Sequence, residues 1–209
     1  MLQSTYLAMV GEAIARLHAA DNFLSAYKQT HNLPELEAAI LQVRKAFEAT
    51  AYAAIAPNKK EYEAFRAQAD DQPDYRKDYH AGKILAALSK INKNFYPISL
   101  LPATKMPDGT FHFERKKSGY LTKKRFESVY DRLGKYLHAD NPWGNSKNIQ
   151  NLVADLPAAI NELFGLLELH VTFIQTPEFN GAWVVETGRD TGPRIVTGVA
   201  PGEFIVQDS

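Results

Sequence analysis

"LFGLLELHVTFIQ", residues 163–175, is where the chain changes texture. Up to Leu169 the apolar residues recur every three or four positions, the period of a helix with one buried face. From His170 onward they are β-branched or aromatic and come in short runs. On the near side Ile149, Leu152, Leu156, Ile160, Leu163 and Leu167 mark one stripe of a helix over roughly Ser146 to Leu169. On the far side "HVTFIQ", "AWVVET", "RIVTGV" and "FIVQ" are separated by Asn180-Gly181 and by Thr191-Gly192-Pro193. Asn-Gly tolerates the positive φ angles of a tight two-residue turn, so it is the strongest hairpin cue in the chain. A small antiparallel meander is expected here, with His170 at its opening and on the surface.

Upstream, helices dominate. Tyr6, Val10, Ile14 and Leu17 are spaced for a helix that continues through Phe23, Leu24 and Tyr27. Asn32 before Leu33-Pro34 reads as an N-cap with proline in the first turn. Ile40, Val43, Phe47, Ala51 and Ile55 form the stripe of a second long helix that stops near Pro57-Asn58. The next stretch is polar and divided by Pro73, after which a helix from about Asp74 carries Tyr79, Ile84, Leu85, Leu88 and Ile91. Its acids, Asp70, Asp71, Asp74 and Asp78, read as helix-start caps. "NFYPISLLP" reads as extended chain or loop. Pro107-Asp108-Gly109 is a turn signal inside an alternating stretch, predicting a short hairpin. Thr122 caps a further helix with Phe126, Val129, Tyr130, Leu133 and Leu137 on its apolar stripe, ended by Asn141-Pro142.

The fold class is therefore mainly α: a helical bundle over residues 1–170 with an inserted β-hairpin near 101–120. Residues 171–209 form a small C-terminal antiparallel β meander packed on it. At 209 residues the chain suits one good-sized core. No cysteine is present, which rules out disulfides and thiolate metal sites and fits a reducing cytoplasm. The N-terminal run is interrupted by Glu12 and Arg16 and reads as an amphipathic helix. No run reaches the ~18 apolar residues of a membrane span, so a cytoplasmic protein without a membrane partner is expected.

Formal net charge is zero, yet charge is unevenly placed. Lys116, Lys117, Lys123 and Lys124 lead into the helix that carries Arg132, Lys135, Tyr136 and His138. The balancing acids lie largely further on, at Glu162, Glu168, Glu178, Glu186, Asp190 and Glu203. Such a flank attracts phosphate locally, and Tyr120, Tyr130, Tyr136 and Trp143 beside it offer faces for stacked bases, although Tyr130 fits the core better. A solvated loop and helix start would explain the lysines equally. Lys135 and His138 also complement the negative end of the helix dipole. No glycine-rich phosphate loop, nucleophile elbow or HExxH pattern occurs.

Arg132 and His138 stand six residues apart, roughly 120° around an ideal helix. A loosened last turn near Gly134 would be needed to bring them to one anion. An arginine, five residues and a histidine late in an amphipathic helix resembles the R-x4-6-H signature of HEPN domains, helical bundles that include many metal-independent ribonucleases and toxins. "VRKAFE" on the earlier long helix adds to the resemblance. Arg44 and Glu48 lie one turn apart there, where the family commonly has charged residues facing the Arg–His pair; alone they would be an i,i+4 ion pair. Leu133 departs from the family, which often has a polar residue after the arginine.

The resemblance implies an endoribonuclease needing neither metal nor other cofactor. His138 would act as general base or acid and Arg132 would stabilise the phosphoryl transition state. Arg44 and Glu48 would orient them, and Asn141 would contact phosphate or position His138. It further implies a homodimer with the paired sites near its twofold axis, and an antitoxin or defence-system partner. The alternative is a non-catalytic helical dimer that binds protein or nucleic acid.

Overall fold

Two long helices lay down the frame. The computed structural model describes residues 1–70, 73–138, 143, 149–176, 179–187 and 193–199. Helix α1, Leu2–Thr30, ends at His31, whose positive φ of 55° lets its N–H reach back 2.8 Å to the Tyr27 carbonyl. Asn32 then starts α2, Leu33–Ile55, with Pro34 in its first turn as expected, although the Asn32 side chain makes no capping bond. Ala13 and Ala20 of α1 and Ala39, Ala46 and Ala53 of α2 are all buried. Small side chains let the two helices approach closely. Tyr6, Val10, Leu17, Val43 and Phe47 fill the flanks of their contact.

A 3₁₀ turn at Ala56–Asn58 leads into α3, Lys59–Ala67, a helix inside the stretch that the sequence marks only as polar. Its single fully buried side chain, Tyr62, explains why periodicity does not reveal it. The helix expected from about Asp74 begins later. Asp74 instead caps a 3₁₀ turn, Tyr75–Lys77, and α4 runs Ala81–Ile91. Tyr79, assigned to that helix, precedes it and is 74% exposed. The N-cap of α4 is His80, whose Nδ1 accepts the Lys83 N–H at 3.3 Å.

"NFYPISLLP" contributes a strand, β1, Ile98–Ser99. The inserted hairpin is present as β2, Thr104–Lys105, paired with β3, Phe111–His112, around Gly109 at φ 86°. Thr122 caps α5, Lys123–Tyr136, its Oγ1 accepting the Arg125 N–H. The helix stops before Asn141-Pro142, which lie outside the described residues. Helix α6, Ile149–Leu167, ends two residues short of Leu169. Gly165 on α6 is required by a close approach, since a Cβ there would run into the backbone carbonyl of Gly119.

Strands β4, Leu169–Gln175, β5, Asn180–Glu186, and β6, Arg194–Val199, follow and with β1 make an antiparallel sheet in the order β1-β4-β5-β6. The register sets Ser99 against His170 and Thr172 against Trp183. One face sends Ile174, Trp183 and Val185 into the core shared with the helices. On the other face Leu100, Val171 and Ala182 pack together with Phe113 and Val184 beside them. His170, expected on the surface, is completely buried on the inner face. Its Nε2 lies 2.7 Å from the Tyr6 hydroxyl and its Nδ1 3.1 Å from the Leu167 carbonyl. Among the described residues no helix is long and apolar enough to cross a membrane.

Candidate functional site

Helix α5 presents charged and polar groups on two faces, and each meets a different neighbour. On an ideal helix, Tyr130, Gly134 and position 138 follow one another at steps of about 40°. Arg125 and Arg132, seven residues apart, fall within about 20° of each other on a separate face.

The first face meets α2. Arg44 and Glu48 form the i,i+4 ion pair at 3.2 Å. Both also reach Tyr130. Arg44 Nη2 donates to the phenol oxygen at 2.8 Å, and the phenol donates to Glu48 Oε1 at 2.9 Å. The Arg44 guanidinium carbon lies 4.2 Å from the centre of the Tyr130 ring, close enough for a cation–π contact. Gly134 makes the room: a Cβ there would lie 2.5 Å from Arg44 Nη1. The result is a closed polar triangle, half-buried at Arg44 and Glu48 and fully buried at Tyr130. Burial, then the Glu48 charge and hydrogen bond, push the Tyr130 phenol up to about 12, so it stays a neutral donor. The His80 ring packs edge-on against Tyr130 at 5.1 Å, extending the cluster to the start of α4.

The second face meets α6. Arg125 donates from Nε to Glu162 Oε2 at 2.9 Å and from Nη2 to Asp155 Oδ1 at 2.7 Å. Arg132 Nη2 donates to the other oxygen of Asp155. Asp155 and Glu162 are themselves seven residues apart, so both helices place their charges at the same near-repeat. Two arginines and two carboxylates brace α5 against α6. Arg132 thus makes a helix–helix contact. Leu137 closes α5 with helical backbone angles and His138, exposed, follows directly. His138 thus lies one residue beyond the C-cap and four positions after Gly134 in sequence. Asn141 lies outside the described residues.

The basic flank is partly neutralised. Lys116 reaches Glu168 at 3.2 Å and the Gly165 carbonyl at 3.3 Å. Lys123 lies over the Phe95 ring, its Nζ 5.3 Å from the centre. Lys117, Lys124 and Lys135 are exposed, and Tyr136 is half-buried. Among the acids read as caps, Asp74 caps its 3₁₀ turn, while Asp78 pairs with Arg66 at 3.0 Å and accepts from Tyr62 at 2.8 Å. Among the described residues no group of three or more acids and imidazoles is gathered to hold a metal ion.

The spacing of Arg44 and Glu48 was legible in the sequence. Tyr130, their common partner, reads there as a base-stacking face or, more simply, a core residue on an apolar stripe. Asp155 occupies a polar position of a helix whose apolar stripe absorbs attention; its seven-residue spacing from Glu162, matched by Arg125 and Arg132, is the signal that finds it. Compared with protein-family models, curated proteins and solved structures, the chain gives no match.

Proposed function

We propose that this protein is a metal-independent endoribonuclease of HEPN type, acting as a homodimer, with His138 as the proton-transferring group. Attack of an RNA 2′-hydroxyl on the adjacent phosphorus would form a cyclic phosphate and expel the 5′-oxygen. One imidazole takes the proton from the 2′-hydroxyl and another returns one to the leaving oxygen. A single His138 per chain serves one of these roles at a time, so the scheme calls for two chains. Guanidinium stabilises the charge that builds on the phosphoryl oxygens.

The observation that carries the reading is the Arg44–Glu48–Tyr130 triangle seated against Gly134, four residues before His138 in sequence. It supports Arg44 as a guanidinium available to the phosphate near the end of α5, with Arg132 entering when Asp155 releases it. Lys117, Lys124 and Lys135 would steer the RNA.

A second reading, a non-catalytic HEPN-like dimer that binds protein or nucleic acid, is favoured by one specific contact. Asp155 holds the arginine of the signature in a helix–helix brace.

RNA incubated with purified protein in EDTA separates the two. The nuclease reading expects cleavage by wild type, abolished by His138→Ala and reduced at least about tenfold by Arg44→Ala. Cleavage that persists in His138→Ala removes the imidazole from the mechanism. Absence of cleavage by a protein that is dimeric in light scattering supports the binding module. A strictly monomeric protein contradicts both.

A further inference from the structure

The geometry points to a second anion site, at the start of α4, that binds a nucleoside monophosphate through its phosphate. It is independent of the ribonuclease reading, which uses none of the residues that line this cleft. A cleft of about 230 Å³ opens between α3 and the 73–80 segment. That is below the usual ~300–1,000 Å³ of drug-sized pockets, and fits a phosphoryl group with its sugar better than a larger cofactor.

The floor of the cleft is rigid. Asp78 accepts from the buried Tyr62 hydroxyl at 2.8 Å and pairs with Arg66 at 3.0 Å. Its backbone carbonyl accepts from Tyr52 at 3.0 Å, tying the segment to α2. Among the described residues Asp78 is the one acid in the lining, and Arg66 pairs with it. Lys77 and Lys83 then leave the walls with two positive charges. Between them stands His80. Its Nδ1 accepts the Lys83 N–H at 3.3 Å, so the neutral ring carries its proton on Nε2 and offers a donor. The ring is held in place by that cap and by its edge-on contact with Tyr130. Gly82 gives it room, since a Cβ there would lie 3.3 Å from His80 Cε1.

Two ammonium groups and a fixed N–H donor around one small cleft match the three terminal oxygens of a phosphate monoester. Tyr79, 74% exposed at the lip, adds a flat face. Base–aromatic stacking selects a nucleotide over a bare sugar phosphate and is indifferent to which base it is.

The test is calorimetric titration of the full chain with inosine 5′-monophosphate, ribose 5-phosphate and inosine at low salt. Inosine monophosphate should bind saturably, ribose 5-phosphate several-fold more weakly, and inosine not measurably. Lys77→Ala/Lys83→Ala should lose about tenfold or more in affinity, in keeping with charge-assisted contacts. Tyr79→Ala should bring the two phosphates to equal affinity. His80→Asn, which keeps a capping side chain on α4, should weaken both phosphates while leaving the thermal midpoint in place. Binding of inosine as tight as that of its monophosphate would overturn the proposal, as would absence of saturable binding. So would an affinity untouched by Lys77→Ala/Lys83→Ala that falls instead in Lys117→Ala/Lys124→Ala.

Discussion

His170 makes the protein's stability depend on pH in a calculable way. The ring is completely buried and its protonation would place a second N–H against the Tyr6 hydroxyl, which already donates to Nε2. Desolvation dominates and lowers its pKa to about 4, while the Leu167 carbonyl works weakly the other way. In the unfolded chain an imidazole titrates at about 6.5. Because the folded value is the lower one, the unfolded state binds the extra proton first as pH falls. Full stability is present above about 6.5 and is lost progressively down to about 4. Between about pH 7.5 and about pH 5 this one group removes about 2 kcal/mol, from the ratio of the two protonation partition functions. Carboxylates also titrate, so the comparison is with His170→Gln, which shares them and lacks the imidazole. Urea unfolding of both proteins at the two pH values should show wild type losing about 2 kcal/mol more than the variant. Equal losses in the two proteins would refute a buried neutral His170.

Gly165→Ala should destabilise by about 2–4 kcal/mol in urea unfolding, because the Gly119 carbonyl it meets is backbone and is anchored nearby by Leu121 N–H on the Glu162 carbonyl at 2.8 Å. Gly134→Ala meets only the far end of the long Arg44 side chain, which can shift at the expense of its Tyr130 contact, and alanine in a helix interior gains about 1 kcal/mol over glycine. Its unfolding midpoint should hold within about 1 kcal/mol while RNA cleavage drops; loss of stability with unchanged cleavage would count against the Arg44 site. Tyr130→Phe should cost about 1–2 kcal/mol through the two hydrogen bonds it removes from Arg44 and Glu48, read from the urea midpoint. Asp155→Asn should cost a similar ~1–2 kcal/mol, since partial exposure screens the brace, and the cost should shrink in high salt if charge is its source.

Much of the architecture follows from period alone. The stripes of α1, α2 and α5 and the meander after Leu169 are visible because each buries one face and repeats enough to be counted. Short elements escape. Strand β1 is two residues after Pro97, and only its pairing with β4 makes it a strand. Helix α3 buries one tyrosine and so carries no stripe. His170 misleads for a chemical reason: a lone imidazole is ordinarily solvated, and what buries this one is the Tyr6 hydroxyl, far away in sequence. The candidate site divides the same way. Arg44 and Glu48 are local neighbours and readable, whereas Tyr130 matters through a tertiary contact and Asp155 emerges only when the spacings of two separate helices are compared.

The pairing of β1 with β4 has a consequence for chain continuity. The hairpin tip around Pro107, Asp108 and Gly109 projects from a stem stitched on both sides: Leu100 N–H to the Leu169 carbonyl at 2.8 Å, Leu101 N–H to Glu114 at 2.7 Å, and Lys116 N–H to Ser99 at 3.0 Å. A peptide bond severed at the tip would therefore leave two polypeptides clasped through sheet and helices alike, migrating together until denaturant parts them. The same tip would admit a fused tag or a whole guest domain while the host keeps its shape.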